Sequence, residues 1–343
     1  MRISAHPSRR HSRPRLYHSL VLLLALSAGG CESFVVLSDN LKEEFLAWEF
    51  GMFIHFNMAT FNDREWANGY EDPDSFAPTS LDVEQWADAA VSAGMTYAVL
   101  TVKHTGGWAL WDSGLTNHDV TAFQNYQDGK GDLVREFVDA FRSRGLKVGF
   151  YYCLPGDYDG RFGNVKPKGA PPMNGLPPEA QGRRLGFVKD QLSELLTRYG
   201  AVDLIWIDQY RTRLTSKRDW NEIRNHIRSL QPTTFIVANN SRKNRETDIH
   251  SYEYPLYQAA SGLPPEGNAR PAEVSDVLGP SWFWNTSPDQ ANLKSAADVV
   301  DRLSLVNARR ANYLLNVAPD TTGQLPARAV QRLAEVGALR RSQ

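Results

Sequence analysis

Cysteine is nearly absent: the 343-residue chain has two, Cys31 and Cys153. Cys31 directly follows a leader-like segment and Cys153 would remain as the free thiol, so no disulfide framework is expected to staple the fold; stability has to come from a core. A charge excess is lacking too. The formal net charge is −1, and no basic block follows the leader, which excludes nucleic acid as the expected partner. No apolar run approaches the roughly 20 residues of a membrane-spanning helix. Gly-x-Gly-x-x-Gly and Gly-x-x-x-x-Gly-Lys-Ser/Thr loops are missing, as are His-Glu-x-x-His and Gly-x-Ser-x-Gly. Dinucleotide binding, P-loop chemistry, zincin-type hydrolysis and a serine nucleophile elbow therefore have no support. No metal or other cofactor is expected.

The first residues, MRISAHPSRRHSRPRLYHS, carry five arginines and no acid, and the apolar run Leu20–Leu26 follows. A basic stretch, a short apolar stretch and small residues before a cleavage point make a secretory signal. Ala28-Gly29-Gly30-Cys31 is similar to a bacterial lipobox, with Ala28 where leucine is usual. The expected organisation is a signal peptide over 1–30, a linker over 31–40 and a catalytic domain over 41–343. Cys31 would carry a lipid anchor on a membrane facing the periplasm or exterior, an ordinary cleaved signal being the alternative. Removal of the leader leaves about 310 residues, enough for one large domain.

Beyond the linker, strand-like runs alternate with amphipathic segments. The runs are Phe50–Phe56, Tyr97–His104, Lys147–Cys153, Val202–Asp208, Thr234–Asn240, Ile249–Tyr254, Trp282–Asn285 and Tyr313–Val317. Asp82–Ala93, Asp132–Arg144 and Arg183–Tyr199 read as helices, each stopped by the following glycine. Ser295–Arg310 and Ala327–Leu339 complete the helical set, and Pro155–Gln181 is a long Pro- and Gly-rich loop. Eight strands in this order predict a single (β/α)8 TIM-like barrel.

The stretch VDLIWIDQY, residues 202–210, is the most informative. A nearly continuous apolar run is a strand buried on both faces, and Asp208 stands at its C-terminal tip, where such barrels carry their chemistry. In the same register His55 ends the first run, with Glu65 and Trp66 in the loop behind it. Lys103 and His104 end the second, Tyr151 and Tyr152 the third, Asn239 and Asn240 the fifth, and Glu253 the sixth; Trp282 and Trp284 mark the seventh. Singly, each has an ordinary explanation: Asp208 as a helix cap, His55 as a core histidine, Glu65 and Trp66 as loop structure. Together, carboxylates, two histidines and many rings on one face describe a polyol site with acid/base capacity. Asp208 is the expected nucleophile of a retaining glycosidase.

At these residues the chain resembles glycoside hydrolase family 29, the α-L-fucosidases. FGMFIHF, Glu65-Trp66, EDPDSFAPTSLDVEQWADAAVSAGMTYAVLTVKHTGGWALWDS, GFYY, DLIWID and NYLLNVAPDTTG occur in the family's order, and the likeness spans about Leu41–Leu339. It implies a fucosylated oligosaccharide or glycoconjugate as substrate. It also implies Asp208 as nucleophile, with His55, Glu65, Trp66, His104 and Tyr151 holding the sugar; Trp282 joins this set. For the general acid/base, Glu273 in RPAEVSDVLGPSWFW is the first choice, Glu253 in SYEYP the second and Glu266 the third. Two departures stand out. The family's Lys-His-His-Asp-Gly-Phe reads Lys103-His104-Thr105-Gly106-Gly107-Trp108 here, which leaves α-L-galactose or binding without turnover as alternatives. The C-terminal β-sandwich of many members is not expected.

Overall fold

The computed structural model describes residues 37–116, 118–154, 178–210, 217–243, 245–254 and 262–343. Eight parallel strands run in the order β5-β4-β3-β2-β1-β8-β7-β6. They are β1 Phe50–Ile54, β2 Tyr97–Lys103, β3 Lys147–Cys153, β4 Leu204–Asp208, β5 Phe235–Ala238, β6 His250–Glu253, β7 Ala272–Val277 and β8 Ala311–Asn316. The result is the expected (β/α)8 barrel. The contiguous unit Val35–Gln343 contains it, whereas Met1–Phe34, Cys31 and most of the Pro155–Gln181 loop lie outside the described residues.

The helices are α1 Asp39–Leu46, a single turn α2 Met58–Phe61, α3 Val83–Ala93, α4 Leu133–Ser143, α5 Pro178–Arg198, α6 Lys217–Leu230, α7 Ala296–Ala308 and α8 Ala327–Arg341. Their ends follow from local chemistry. Asp82 accepts from the Gln85 N–H at the start of α3, and Gly94 closes that helix at φ 76°, a left-handed conformation that a Cβ disfavours. Ser295 and Asp298 form a reciprocal capping box on α7.

Strand periodicity sorts the apolar residues into two cores. Odd positions of β4, Ile205 and Ile207, join the layer between barrel and helices. Leu204 and Trp206 join an interior cluster with Phe53, Tyr97, Val99, Tyr151 and Leu314. Phe45 and Trp48, on and just after α1, extend this cluster through close ring contacts with Tyr97 and Phe235. The same two-residue period then carries each inner face upward: Phe53 to His55, Trp206 to Asp208, Val237 to Asn239, Ser251 to Glu253 and Leu314 to Asn316.

The seventh strand differs from the expected one. It is Ala272–Val277, AEVSDV, while Trp282–Asn285 is loop. Half of its residues are polar, so no apolar run betrays it. Ala272 and Val274 pack outward, and the inner face is Glu273, Ser275 and Val277.

The barrel closes between β5 and β6 with one isolated parallel bridge, Val237↔Ile249. Side chains complete the join. Asp248 accepts from the Ile236 N–H at 2.7 Å and Thr247 Oγ1 accepts from the Ala238 N–H at 3.0 Å. Asp248 is buried and paired with Arg228 and Arg224, which tie the seam to α6.

Candidate active site

At the C-terminal mouth of the barrel lies a cavity of about 540 Å³, within the size range of small-molecule sites. Asp208, Glu253, His55, Glu65, Trp66, His104, Tyr151 and Trp282 all line it. These residues are distant in sequence and meet there because the strand tips and the loops that follow β1 and β7 open on the same rim.

Asp208 is held by three donors. Its Oδ1 accepts from the Gln209 N–H at 2.7 Å and from Asn239 Nδ2 at 2.9 Å; its Oδ2 accepts from the Tyr151 hydroxyl at 2.7 Å. Gln209 has φ 55°, a left-handed turn that L residues seldom adopt, and its own amide points back at the preceding carboxylate. The second carboxylate is close by. Asn239 Nδ2 also donates to Glu253 Oε2 at 3.1 Å, and Asn240 donates to the same oxygen at 3.0 Å. One amide nitrogen thus spans both acids, so their nearest oxygens are at most about 6 Å apart, below the roughly 6.5–9.5 Å that leaves room for a water. Burial, with the Asp208 charge adding to it, pushes the Glu253 carboxyl up from 4.5 against the two amide donors.

Both histidines are neutral. Burial lowers His104 to about 3, and burial with the neighbouring His104 holds His55 well below 6.5. The tautomer of His55 follows from its partner. Asn316 Nδ2 donates to the Trp282 carbonyl at 2.7 Å, which turns Asn316 Oδ1 toward His55 Nδ1 at 2.7 Å. That oxygen only accepts, so Nδ1 carries the proton and Nε2 keeps a lone pair. His104 Nδ1 lies 3.1 Å from the Thr105 hydroxyl, in the position where the family's second histidine is replaced. The His104 ring stacks on Tyr151 at 5.2 Å and 17°.

Glu65 has a structural duty as well as a place in the cavity wall. Its oxygens accept from the N–H groups of Trp282 and Phe283 at 2.7 and 3.3 Å, and burial raises its carboxyl above 4.5. The Trp282 peptide is therefore held on both sides, its N–H by Glu65 and its carbonyl by Asn316. The Trp282 ring lies 5.0 Å from His55, whereas Trp66 is 60% exposed at the rim.

Glu273 is not in the cavity lining. It is the second residue of β7, two positions below Ser275 on the inner face, buried deep in the barrel. The Tyr97 hydroxyl and the Trp206 indole N–H donate to its two oxygens, each at 2.8 Å, and burial pushes it up to about 7. The resemblance made Glu273 the first choice for the acid; with β7 spanning Ala272–Val277, Glu273 falls at the base of that strand rather than near its tip. Glu266 is exposed and pairs with Arg309 at 3.5 Å. Asn316 and Trp206 were not singled out from sequence, although both sit within the stretches NYLLNVAPD and DLIWID.

Fold and site together define a (β/α)8 barrel with a carboxylate-lined, aromatic-walled cavity of sugar size at its C-terminal face. The chain belongs to the alpha-L-fucosidase family, glycoside hydrolase family 29, whose model matches residues 64–341. Alpha-L-fucosidase 1 of Arabidopsis thaliana is 27% identical over 327 residues, 87% of this chain and 59% of its own length. The alpha-L-fucosidase of Dictyostelium discoideum is 24% identical over 266 residues, 75% of this chain and 53% of that protein. The chain thus spans little more than half the length of these curated relatives. Among solved structures, alpha-L-fucosidase isoenzyme 1 from Paenibacillus thiaminolyticus superposes with TM-score 0.72 at 32% identity, covering 88% of this chain and 76% of that one.

Proposed function

We propose that the protein hydrolyses terminal α-L-fucosides of glycans with retention of anomeric configuration, Asp208 acting as nucleophile and Glu253 as acid/base. The observation that carries the reading is the Asn239 amide, which holds Asp208 at 2.9 Å and Glu253 at 3.1 Å. A separation of at most about 6 Å falls short of the roughly 6.5–9.5 Å of inverting pairs and so favours direct attack by the carboxylate. In the first step Asp208 attacks the anomeric carbon while Glu253 gives its proton to the departing glycosidic oxygen. The glycosyl–aspartate ester that forms is then opened by water, from which the Glu253 carboxylate takes a proton, releasing Asp208. Glu253 is suited to start protonated because burial and the Asp208 charge raise its carboxyl.

The remaining groups fit sugar recognition. His55 Nε2 accepts from a sugar hydroxyl, and Trp282 offers a face for the ring. The family supports a fucosylated glycan as substrate, and the leader with Cys31 supports export to a membrane-anchored position.

Release of nitrophenol from an aryl α-L-fucoside tests the function. Asp208→Asn should lower turnover by several orders of magnitude in a folded protein. Glu253→Ala should spare activated aryl substrates relative to disaccharides and be rescued by azide. An active, folded Asp208→Asn protein would refute the nucleophile assignment; full disaccharide activity in Glu253→Ala would move the acid elsewhere.

A further inference from the structure

Glu273 is a buried carboxyl that the proposed chemistry does not use, and its surroundings link it to the groups that do. Its Oε1 accepts from the Trp206 indole at 2.8 Å. The Trp206 ring lines the cavity and stacks on Tyr151 at 5.3 Å and 21°. Tyr151 in turn stacks under His104 at 5.2 Å and 17° and donates its hydroxyl to Asp208 at 2.7 Å. Three nearly parallel rings thus climb from the barrel interior to the cavity wall, and among the described residues the Trp206 indole N–H is tethered by the Glu273 carboxylate. The second oxygen of that carboxylate is held from the opposite side by Tyr97. Gly51, beside Tyr97 in the sheet, leaves the space its ring needs, because a Cβ there would collide with it.

We propose that Glu273 is a positioning residue: it anchors the Trp206–Tyr151–His104 ring ladder from below and thereby sets the Tyr151 hydroxyl on Asp208 and the aromatic floor of the sugar site. An indole free to tilt about its side-chain torsions removes the surface on which Tyr151 rests. Displacements of about 1 Å at a reacting pair can cost about 100-fold in rate. This inference rests on the proposed function for its kinetic readout only.

The test compares Glu273→Gln, Glu273→Leu and Trp206→Phe. Gln keeps the anchor, since its carbonyl accepts from Trp206 and its amide donates to the Tyr97 hydroxyl, so it should rescue kcat/KM to within a few-fold of wild type. Leu removes the acceptor and should lower kcat/KM about 10- to 100-fold. Trp206→Phe removes the donor and should cause a comparable loss, with the double variant Glu273→Leu/Trp206→Phe no worse than the poorer single one. A folded Glu273→Gln protein that has lost activity by orders of magnitude would overturn the proposal in favour of proton transfer. Wild-type kcat/KM in Glu273→Leu, or in Trp206→Phe should the leucine variant not fold, would also overturn it. Near-UV circular dichroism without sugar separates this from the function itself. The Trp206 band, defined by the Trp206→Phe difference spectrum, should change in Glu273→Leu and persist in Glu273→Gln even if no fucoside is cleaved. An unchanged band in Glu273→Leu refutes the anchor.

Discussion

Ionising Glu273 should weaken the fold over a pH range that can be stated in advance. Its partners are two neutral donors, Tyr97 and Trp206, and burial pushes its carboxyl from 4.5 to about 7. In the unfolded chain the group loses its proton near 4.5; in the fold it holds it until about 7. Between these values the native state binds more protons than the unfolded state, so stability falls as pH rises and levels off above the folded value. At 1.36 kcal/mol per unit the full loss is about 3 kcal/mol. Glu273→Gln carries no charge and escapes it. Relative to wild type, that variant should gain about 3 kcal/mol between pH 4 and pH 8, or about 5 °C in Tm for a chain of this size. Thermal or urea unfolding of both proteins across pH 4–9 measures the difference. A wild-type-minus-variant difference that stays flat with pH would refute the reasoning, as would one that favours wild type at alkaline pH.

Asn239→Ala removes the donor shared by Asp208 and Glu253 and should lower kcat at least 100-fold while leaving Tm within a few degrees; kinetics on an aryl fucoside measure it. Asn316→Ala frees His55 to take either tautomer and unclamps the Trp282 carbonyl, so KM should rise about tenfold, reflecting a lost hydrogen bond of roughly 1–1.5 kcal/mol. The basic limb of the kcat/KM profile should fall as pH rises through the raised Glu253 carboxyl, because the acid form is the active one, and it should vanish in Glu253→Ala on activated substrates. Asp248→Ala strands two buried arginines at the β5–β6 seam and should cost about 3–5 kcal/mol in urea unfolding.

The sequence disclosed the parts of this molecule whose physics is local. Runs such as LIWID and KVGFYYC are apolar on both faces and read directly as buried strands, and glycines after α3 and α4 mark their ends. The register then carried the inward residues His55, Asp208 and Glu253 to the rim without any structure. β7 was illegible because its inner face is polar: Glu273 and Ser275 are satisfied by partners on other strands, and a search for hydrophobicity passes over them. The likeness that pointed to Glu273 gave no depth along the barrel axis, so its place at the base of β7 stayed hidden. Asn316 was hidden for a related reason. Its role comes from accepting from His55, 261 residues away, while donating to Trp282, and no spacing along the chain encodes that. Glu65 showed its place but not its clamp on the Trp282 and Phe283 amides.

The weakly paired seam has a bearing on how this family of sites can change. Asp208 stands on β4 and Asn239 follows β5, whereas Glu253 ends β6, so the two acids face each other across the joint where the backbone ladder thins to one bridge. Elsewhere around the barrel, neighbouring tips are locked in step by several main-chain bonds that side-chain replacement leaves in place. Here their relative height depends on Asp248, Thr247, Arg224 and Arg228. The spacing between nucleophile and acid is consequently written in replaceable side chains, and single substitutions at residues remote from the sugar can retune it while the barrel stays intact.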